Sequence, residues 1–100
     1  MTIARIWSAR TADPSNADAY QDLFPAAELA AVPGFQGAYL LRREHDSGVE
    51  FVTVTLFESF DAVRGFAGDT YEKSHVSPAA REVLDDIDDE VRHFTVVFSC

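Results

Sequence analysis

The chain has 100 residues, 17 acidic against 8 basic, and a formal net charge of -9 at pH 7. This balance argues against a nucleic-acid partner or an anionic membrane surface, because both bind basic faces. The length predicts one domain over residues 1–100, and a hydrophobic fraction of 47% is enough for a packed core. The single cysteine, Cys100, allows no internal disulfide, and no apolar run or leader pattern stands out, so we expect a cytoplasmic protein.

The first elements in chain order are a strand and an interrupted helix. Residues 2–10 alternate apolar and polar side chains and include β-branched and aromatic types, which predicts a strand. Ser15 or Asn16 is expected to cap the following helix, because a short polar side chain accepts a hydrogen bond from the first turn. Pro25 removes an amide donor and predicts a break just before it, and the Val-Pro-Gly sequence at 32–34 ends the helical region.

Two strands joined by a tight turn come next. Residues 35–43 are strand-like and end in charged side chains. The segment 45–48 ends in Gly48, which can adopt a positive φ, so it predicts a hairpin turn. Residues 49–58 carry the strongest strand signal in the chain, with valine, threonine and phenylalanine in succession.

The last third of the chain predicts a second helix, a further short helix and a closing strand. Ser59 or Asp61 can cap the second helix, and Pro78 is suited to the first turn of the short one. Residues 90–99 alternate as a strand. The order strand, helix, strand, strand, helix, strand predicts an α+β fold of ferredoxin-like βαββαβ topology, with a four-stranded antiparallel sheet and helices on one face.

The third strand is apolar on both faces, which predicts a homodimer. A sheet with helices on one side and water on the other carries polar residues on its wet face. Here Phe51 and Phe57 flank Thr53 and Thr55 on one face, while the other carries Val52, Val54 and Leu56. The helices suffice to cover one face only. A second copy of the same sheet is the simplest cover for the other, with a solvent-facing sheet as the alternative.

Four segments, in this order and spacing, resemble those of the antibiotic biosynthesis monooxygenase domain family, whose members are dimeric α+β barrels. They are residues 3–7 (Ile-Ala-Arg-Ile-Trp), residues 33–39, the strand-to-helix junction 55–59 followed by 62–66, and residues 71–75. The resemblance implies a ligand pocket between the helices and the helix-facing side of the sheet, with the dimer formed by the other side. Because the fold alone does not determine function, the function has to be argued from the residues of the site.

The resemblance implies three alternative functions. The first is a cofactor-independent monooxygenase that oxidises a small phenol, naphthol or hydroquinone with molecular oxygen. The second is a non-catalytic dimeric barrel that binds a small apolar ligand. The third is haem binding and degradation, but the pattern of the haem-degrading members has an asparagine where this chain has Trp7 and a tryptophan where it has Gly65 and Phe66.

The candidate catalytic residues are His75, Tyr71 and Arg5. His75 matches the region of the haem-degrading members' iron ligand, and a neutral imidazole there could also accept a proton from a phenol. The alternative is a loop histidine bound to backbone. Tyr71 is expected to assist the same deprotonation. Arg5 shares a strand face with Trp7, so it would require an acidic partner or an anionic ligand if buried, with a surface arginine as the alternative.

The candidate substrate-binding side chains are aromatic residues and two threonines on the predicted pocket side. The aromatic rings would stack on a planar substrate, and buried hydroxyls require a partner or a ligand. Plain core packing is the alternative. The set is Trp7, Thr53, Thr55, Phe57 and Phe66.

No metal or nucleotide cofactor is expected. His45 and His93 have no companion at a metal-ligand spacing. The acidic run 85–90 lacks the glycine and regular spacing of a calcium loop, and it is interpreted as a solvated turn.

Overall fold

The computed structural model describes all residues from 1 to 100 and contains five strands and four helices. None of the helices has the length and apolar composition that crossing a bilayer requires. In chain order the elements are β1 (Thr2–Thr11), α1 (Pro14–Asp22), α2 (Ala26–Ala30), β2 (Phe35–His45), β3 (Gly48–Phe57), α3 (Phe60–Ala67), α4 (Pro78–Val83), β4 (Asp86–Ile87) and β5 (Arg92–Val96).

The strands form one antiparallel sheet in the order β2-β3-β1, with β4 and β5 both paired to the remaining edge of β1. This is the predicted α+β, ferredoxin-like arrangement. The edge of β1 where one fourth strand was expected is, however, divided between two strands, so the sheet has five strands instead of four. The closing strand covers Arg92–Val96 instead of residues 90–99, and β4 lies in the acidic run 85–90 that was interpreted as a solvated turn.

The division of the fourth strand has a local cause. The backbone of residues 89–91 pairs with the loop that precedes α4 and not with β1. The Val91 amide donates to the Glu72 carbonyl at 2.8 Å, and the Ser74 amide donates to the Asp89 carbonyl at 2.9 Å. Asp89 and Val91 therefore have partners away from β1, and the β1 ladder is interrupted between Ile87 and Arg92.

The helix α1 begins earlier than predicted. Asp13, and neither Ser15 nor Asn16, is the N-cap: its carboxylate accepts a hydrogen bond from the Ser15 amide at 2.8 Å. Pro14 takes the first helical position, where an amide donor is not required. The predicted break before Pro25 is confirmed, because α1 ends at Asp22 and α2 begins at Ala26.

The caps of the later helices are short hydroxyl side chains. Ser59, the first of the two residues predicted for α3, accepts from the Ala62 amide at 3.1 Å. Ser77 accepts from the Ala80 amide at 3.2 Å, and Pro78 lies in the first turn of α4 as predicted. Each cap satisfies an amide that has no partner within its own helix.

The β2–β3 hairpin turns where the sequence predicted, with His45 paired to Gly48. Gly48 has a φ of 139°, and a Cβ atom at this position would lie 2.4 Å from the carbonyl oxygen of Thr11. The hairpin therefore approaches the end of β1 so closely that only glycine fits.

The core lies between the helices and one face of the sheet, in three small clusters. At one end Ile3 and Phe57 pack against Val63 of α3. At the other end Ala9 packs against α4, and Val49 with Phe51 packs against α1. The helix-covered face therefore has packed ends, and the region between them is where a site can form.

The opposite face of the sheet carries no helix and is apolar. Val54 of β3 pairs with Ile6 of β1 and with Tyr39 of β2, so these side chains share that face. Tyr39 is 62% exposed, and Leu41 and Phe94 are 49% and 47% exposed. We call this surface the open face; its other apolar members are Ala4, Val52, Leu56 and Val96.

Candidate functional site

A cavity of about 700 Å³ lies between the helix-covered side of the sheet and the segments around it. Its floor comes from β1 and β3, and its walls come from the α1–α2 region, the end of α3 and the loop before α4. Six of the eight predicted site residues line it, namely Arg5, Trp7, Thr53, Thr55, Phe66 and His75.

The strand register explains why the floor residues meet. Arg5 pairs with Thr55 and Trp7 pairs with Thr53 across the β1–β3 ladder. Because alternate residues of a strand share a face, all four side chains lie on the helix-covered side. Thr53 and Thr55 both line the cavity, and the Thr55 hydroxyl donates a hydrogen bond to the Arg5 carbonyl at 3.4 Å.

Two predicted residues, Phe57 and Tyr71, do not line the cavity. Phe57 is fully buried at 0% exposure beneath α3, and its ring centroid lies 5.5 Å from that of Phe66. Tyr71 packs its ring edge-on against His93 at a centroid distance of 5.2 Å. The contact of Tyr71 with the site is through its backbone carbonyl, which accepts a hydrogen bond from Arg5 at 2.6 Å.

Arg5 is the half-buried cation of the cavity floor. Its Nη1 donates to the Tyr71 carbonyl and lies 3.0 Å from Nε2 of His93. Its guanidinium carbon lies 5.8 Å from the centroid of the Phe66 ring. The seven ion pairs of the molecule do not include Arg5. Burial lowers the pKa of this guanidinium below its ordinary value, because no anion offsets the loss of water.

Trp7 forms part of the cavity wall in a fixed orientation. Its indole Nε1 donates a hydrogen bond to the Asp88 carbonyl at 2.7 Å. That carbonyl belongs to the segment between β4 and β5, so the divided fourth strand contributes to the site. With its polar atom satisfied, the indole offers an apolar flank to a ligand.

His75 lies at the cavity rim and is exposed. Its Nε2 lies 3.3 Å from the Thr70 hydroxyl. An imidazole in this position can reach both solvent and a bound molecule, which suits a proton acceptor.

No family model matches the sequence, and no curated protein does either. Solved structures do resemble it. A protein from Bacillus cereus assigned to the antibiotic biosynthesis monooxygenases aligns over 100% of this chain and 95% of its own, with a TM-score of 0.69 and 13% identity. SnoaB, a cofactor-independent oxygenase from Streptomyces nogalater, aligns over 98% and 94%, with a TM-score of 0.62 and 24% identity.

This chain has the antibiotic biosynthesis monooxygenase fold.

The same fold includes MhuD, a heme-degrader from Mycobacterium tuberculosis whose structure has two hemes in its active site. It aligns over 98% of both chains, with a TM-score of 0.66 and 22% identity. The residues of the present cavity do not fit haem well. Arg5 is the one Lys or Arg lining the cavity, whereas haem carries two propionates, and the fixed indole of Trp7 occupies the wall.

No group of three or more metal-ligating side chains is close enough to hold an ion. His45 lies 3.5 Å from Glu50 on the hairpin, and the acidic side chains near Arg10 are engaged in ion pairs with it. The polar groups that the cavity itself presents are the guanidinium of Arg5, the imidazole of His75 and several hydroxyls, beside an aromatic and aliphatic wall.

Two residues near the site were not predicted from the sequence. Tyr20 of α1 lines the cavity, packs on Phe51 at 4.9 Å, and has its pKa raised by burial, so its phenol stays protonated and can donate a hydrogen bond. Its helical spacing marked it only as an apolar-face residue. His93 lies behind Arg5, and only the pairing of β5 with β1 reveals this contact.

Proposed function

We propose that this protein is a cofactor-independent monooxygenase that oxidises a small phenol, naphthol or hydroquinone with molecular oxygen. The observation that carries the proposal is Arg5, a half-buried guanidinium at an aromatic-walled cavity with no carboxylate partner. The likeness to SnoaB, whose activity needs no cofactor, supports the same reaction class.

The phenolate of the substrate supplies the anion that Arg5 lacks. A buried charge is stabilised by an opposite charge, and the same attraction lowers the pKa of a bound phenol. The aromatic ring would lie against Trp7 and Phe66, while the protonated Tyr20, whose oxygen accepts from the Thr53 hydroxyl, offers a hydrogen bond to a further oxygen. Binding at Arg5 therefore favours the ionised form of the substrate.

Ionisation is the step that prepares the substrate for oxygen, because an electron-rich phenolate gives up electrons more readily than a phenol. His75 at the rim accepts the phenolic proton and releases it to solvent. For a naphthol, one oxygen atom enters the ring and the other leaves as water, so that naphthol and O₂ give a quinone and H₂O. The substrate supplies all the electrons, and no external reductant is needed.

The test is oxygen consumption with a panel of naphthols and hydroquinones in the presence of a chelator. We expect turnover by the wild type. Arg5→Met should lower kcat/KM by about ten- to hundredfold, the value of one charge-assisted hydrogen bond. His75→Ala should lower kcat by about a hundredfold. Arg81→Met on the exposed surface of α4 is the matched control and should leave turnover unchanged.

Equal turnover by the wild type and Arg5→Met would refute the role of Arg5. Absence of turnover across the panel, combined with ligand-dependent stabilisation, would favour the alternative, a non-catalytic barrel that binds a small apolar molecule. That alternative is supported by the largely apolar lining contributed by Leu23, Phe24 and Leu29.

We also propose that a second copy of the chain covers the open face, giving a homodimer. Burying Val54 and its neighbours would contribute roughly 1.5–3 kcal/mol for each large apolar side chain. Val54→Lys places a charge at the centre of this face, and we expect a monomer by light scattering. Thr95→Lys adds the same charge on the helix-covered side of β5 and should leave the mass unchanged, whereas dimers in both variants would refute the proposal.

A further inference from the structure

We propose that His93 is a positioning residue for Arg5. As a neutral hydrogen-bond acceptor it orients the Arg5 guanidinium so that the edge formed by Nε and Nη2 binds an aromatic anion with two neighbouring oxygens. Such a ligand is an aromatic carboxylate, or a phenolate with a second oxygen on the adjacent carbon. This inference rests on the proposed function in taking the cavity as the substrate site.

The contact between the two side chains is built into the sheet. Arg5 of β1 and His93 of β5 are paired residues in adjacent antiparallel strands, and both point to the helix-covered side. Their Nη1 and Nε2 atoms are 3.0 Å apart. Because arginine is only a donor, Nε2 of His93 has to be the unprotonated nitrogen, which leaves the imidazole neutral with its proton on Nδ1.

The imidazole is held in place by aromatic rings. The His93 ring centroid lies 5.2 Å from that of Tyr71, at an interplanar angle of 90°, and 6.0 Å from that of Phe60. The environment also favours the neutral form, because burial and the charge of Arg5 both lower the pKa of His93, with Glu72 acting weakly in the opposite direction. A fixed, neutral acceptor is what a donor-only guanidinium needs as a support.

The protein partners of Arg5 contact only one of its three guanidinium nitrogens. Nη1 is shared by His93 and the Tyr71 carbonyl, whereas Nε and Nη2 make no hydrogen bond within the protein. These two nitrogens are not sealed in, because no buried polar side-chain atom lacks a partner. Their N–H groups form the side-on fork of arginine, which matches two oxygens held side by side.

Neighbouring charges do not compete for this fork. Glu72, the acidic residue whose charge reaches His93, makes no ion pair with Arg5. Arg92, the residue before His93, points to the open face, where its guanidinium lies 5.5 Å from the Phe94 ring. No charged side chain of the protein therefore competes with a bound molecule for the fork of Arg5, a residue of the cavity lining.

The test is the affinity of 2-naphthoate, a redox-inert aromatic carboxylate, compared with neutral 2-naphthamide, by calorimetry at about pH 8. We expect the wild type to prefer the carboxylate and Arg5→Met to lose that preference. His93→Leu should weaken naphthoate binding about tenfold and leave naphthamide binding unchanged. His93→Gln should restore the preference, because its Oε1 can accept from Arg5 and cannot be protonated at this pH.

His45→Leu on the exposed hairpin is the matched control and should bind as the wild type does. Unchanged naphthoate affinity in a folded His93→Leu protein would overturn the inference. Equal losses for both ligands, or no rescue by His93→Gln, would also overturn it, because those results describe a purely structural histidine.

A second measurement needs no variant. ¹⁵N NMR of the imidazoles in the wild type should show a His93 ring with a bare Nε2 and a protonated Nδ1, and the opposite tautomer would overturn the inference. The result is separable from the oxygenase proposal. His93-dependent binding of naphthoate without any quinol turnover would refute the oxygenase proposal and support the positioning of Arg5 by His93. Turnover without a preference for the carboxylate would support the oxygenase proposal and refute the positioning role.

Discussion

The two ends of β1 each carry an arginine, and they are built in opposite ways. Near β4, Arg10 is paired with Asp86 and Asp88, each at 2.7 Å, and these hydrogen bonds raise its pKa. Near β5, Arg5 is bonded to a carbonyl and an imidazole, and burial lowers its pKa. One end neutralises its cation within the chain, and the other leaves it uncompensated.

A shortage of carboxylates does not explain this difference. The chain has 17 acidic residues for 8 basic ones, yet none of the carboxylates approaches the guanidinium that is more deeply placed. A cation left without a partner in a half-buried position reduces stability, so its retention is typical of a binding role rather than a structural one.

The largest effect on stability is expected from a core substitution at the β5 end of β1. Phe57→Ala should lower the free energy of unfolding by about 3–5 kcal/mol, because the side chain is fully buried and supports Phe66 below Arg5. Denaturant unfolding measures this. Phe98→Ala, at a residue 79% exposed in the chain terminus, is the control and should change stability by less than about 0.5 kcal/mol. A loss below about 1 kcal/mol for Phe57→Ala would contradict this view of the β5 end.

Arg5→Met is expected to raise stability, by up to about 2 kcal/mol, while removing anion binding. The substitution replaces a half-buried, unpaired charge by an apolar side chain of similar length. Thermal and denaturant unfolding of the wild type and the variant measure the change. A loss of more than about 1 kcal/mol would mean that Arg5 is mainly structural, and the contrast between the two ends would fail.

Arg10→Met is expected to act in the opposite direction and more weakly. Its partners are exposed, so the loss should be about 0.2–1 kcal/mol and should shrink as salt screens the pairs. Unfolding at low and high ionic strength checks both statements. If the two arginine variants change stability with the same sign, the proposed difference between the ends is wrong.

The pH dependence of stability gives the smallest and most specific signal. Because the pKa of folded His93 lies below its ordinary value of 6.5, the unfolded chain binds the proton more readily as the pH falls below that value. Stability from His93 is therefore present above about pH 6.5 and is lost as the pH falls toward the lowered pKa. His93→Gln should flatten the stability curve in this window, above the range where Asp13 and Glu50 titrate. An unchanged slope would contradict a neutral His93.

Most of the fold was predictable because it depends on local patterns. Alternation placed β1 and β3 and put Arg5 and Trp7 on one face, and Pro25 marked the break between α1 and α2. The cap at Asp13 was missed although its signal was present, since an acidic residue directly precedes a proline that suits the first helical position.

The remaining features depend on contacts between distant segments. The division of the fourth strand follows from the pairing of residues 89–91 with 72–74, and no periodicity in either segment reveals it. His93 required the register of β5 on β1. Phe57 was placed on the correct face, but its end of β3 lies under Val63 of α3 and beyond the cavity, which alternation cannot distinguish.

Trp7 is the only tryptophan in the chain, and it lies in the cavity wall with its indole tied to Asp88. Light absorbed selectively by indole is therefore re-emitted from one known place in the molecule. An aromatic guest that stacks on this ring, or a quinone formed beside it, would quench or shift that emission. The protein thus carries its own optical reporter of occupancy, and ligand libraries can be screened without a label.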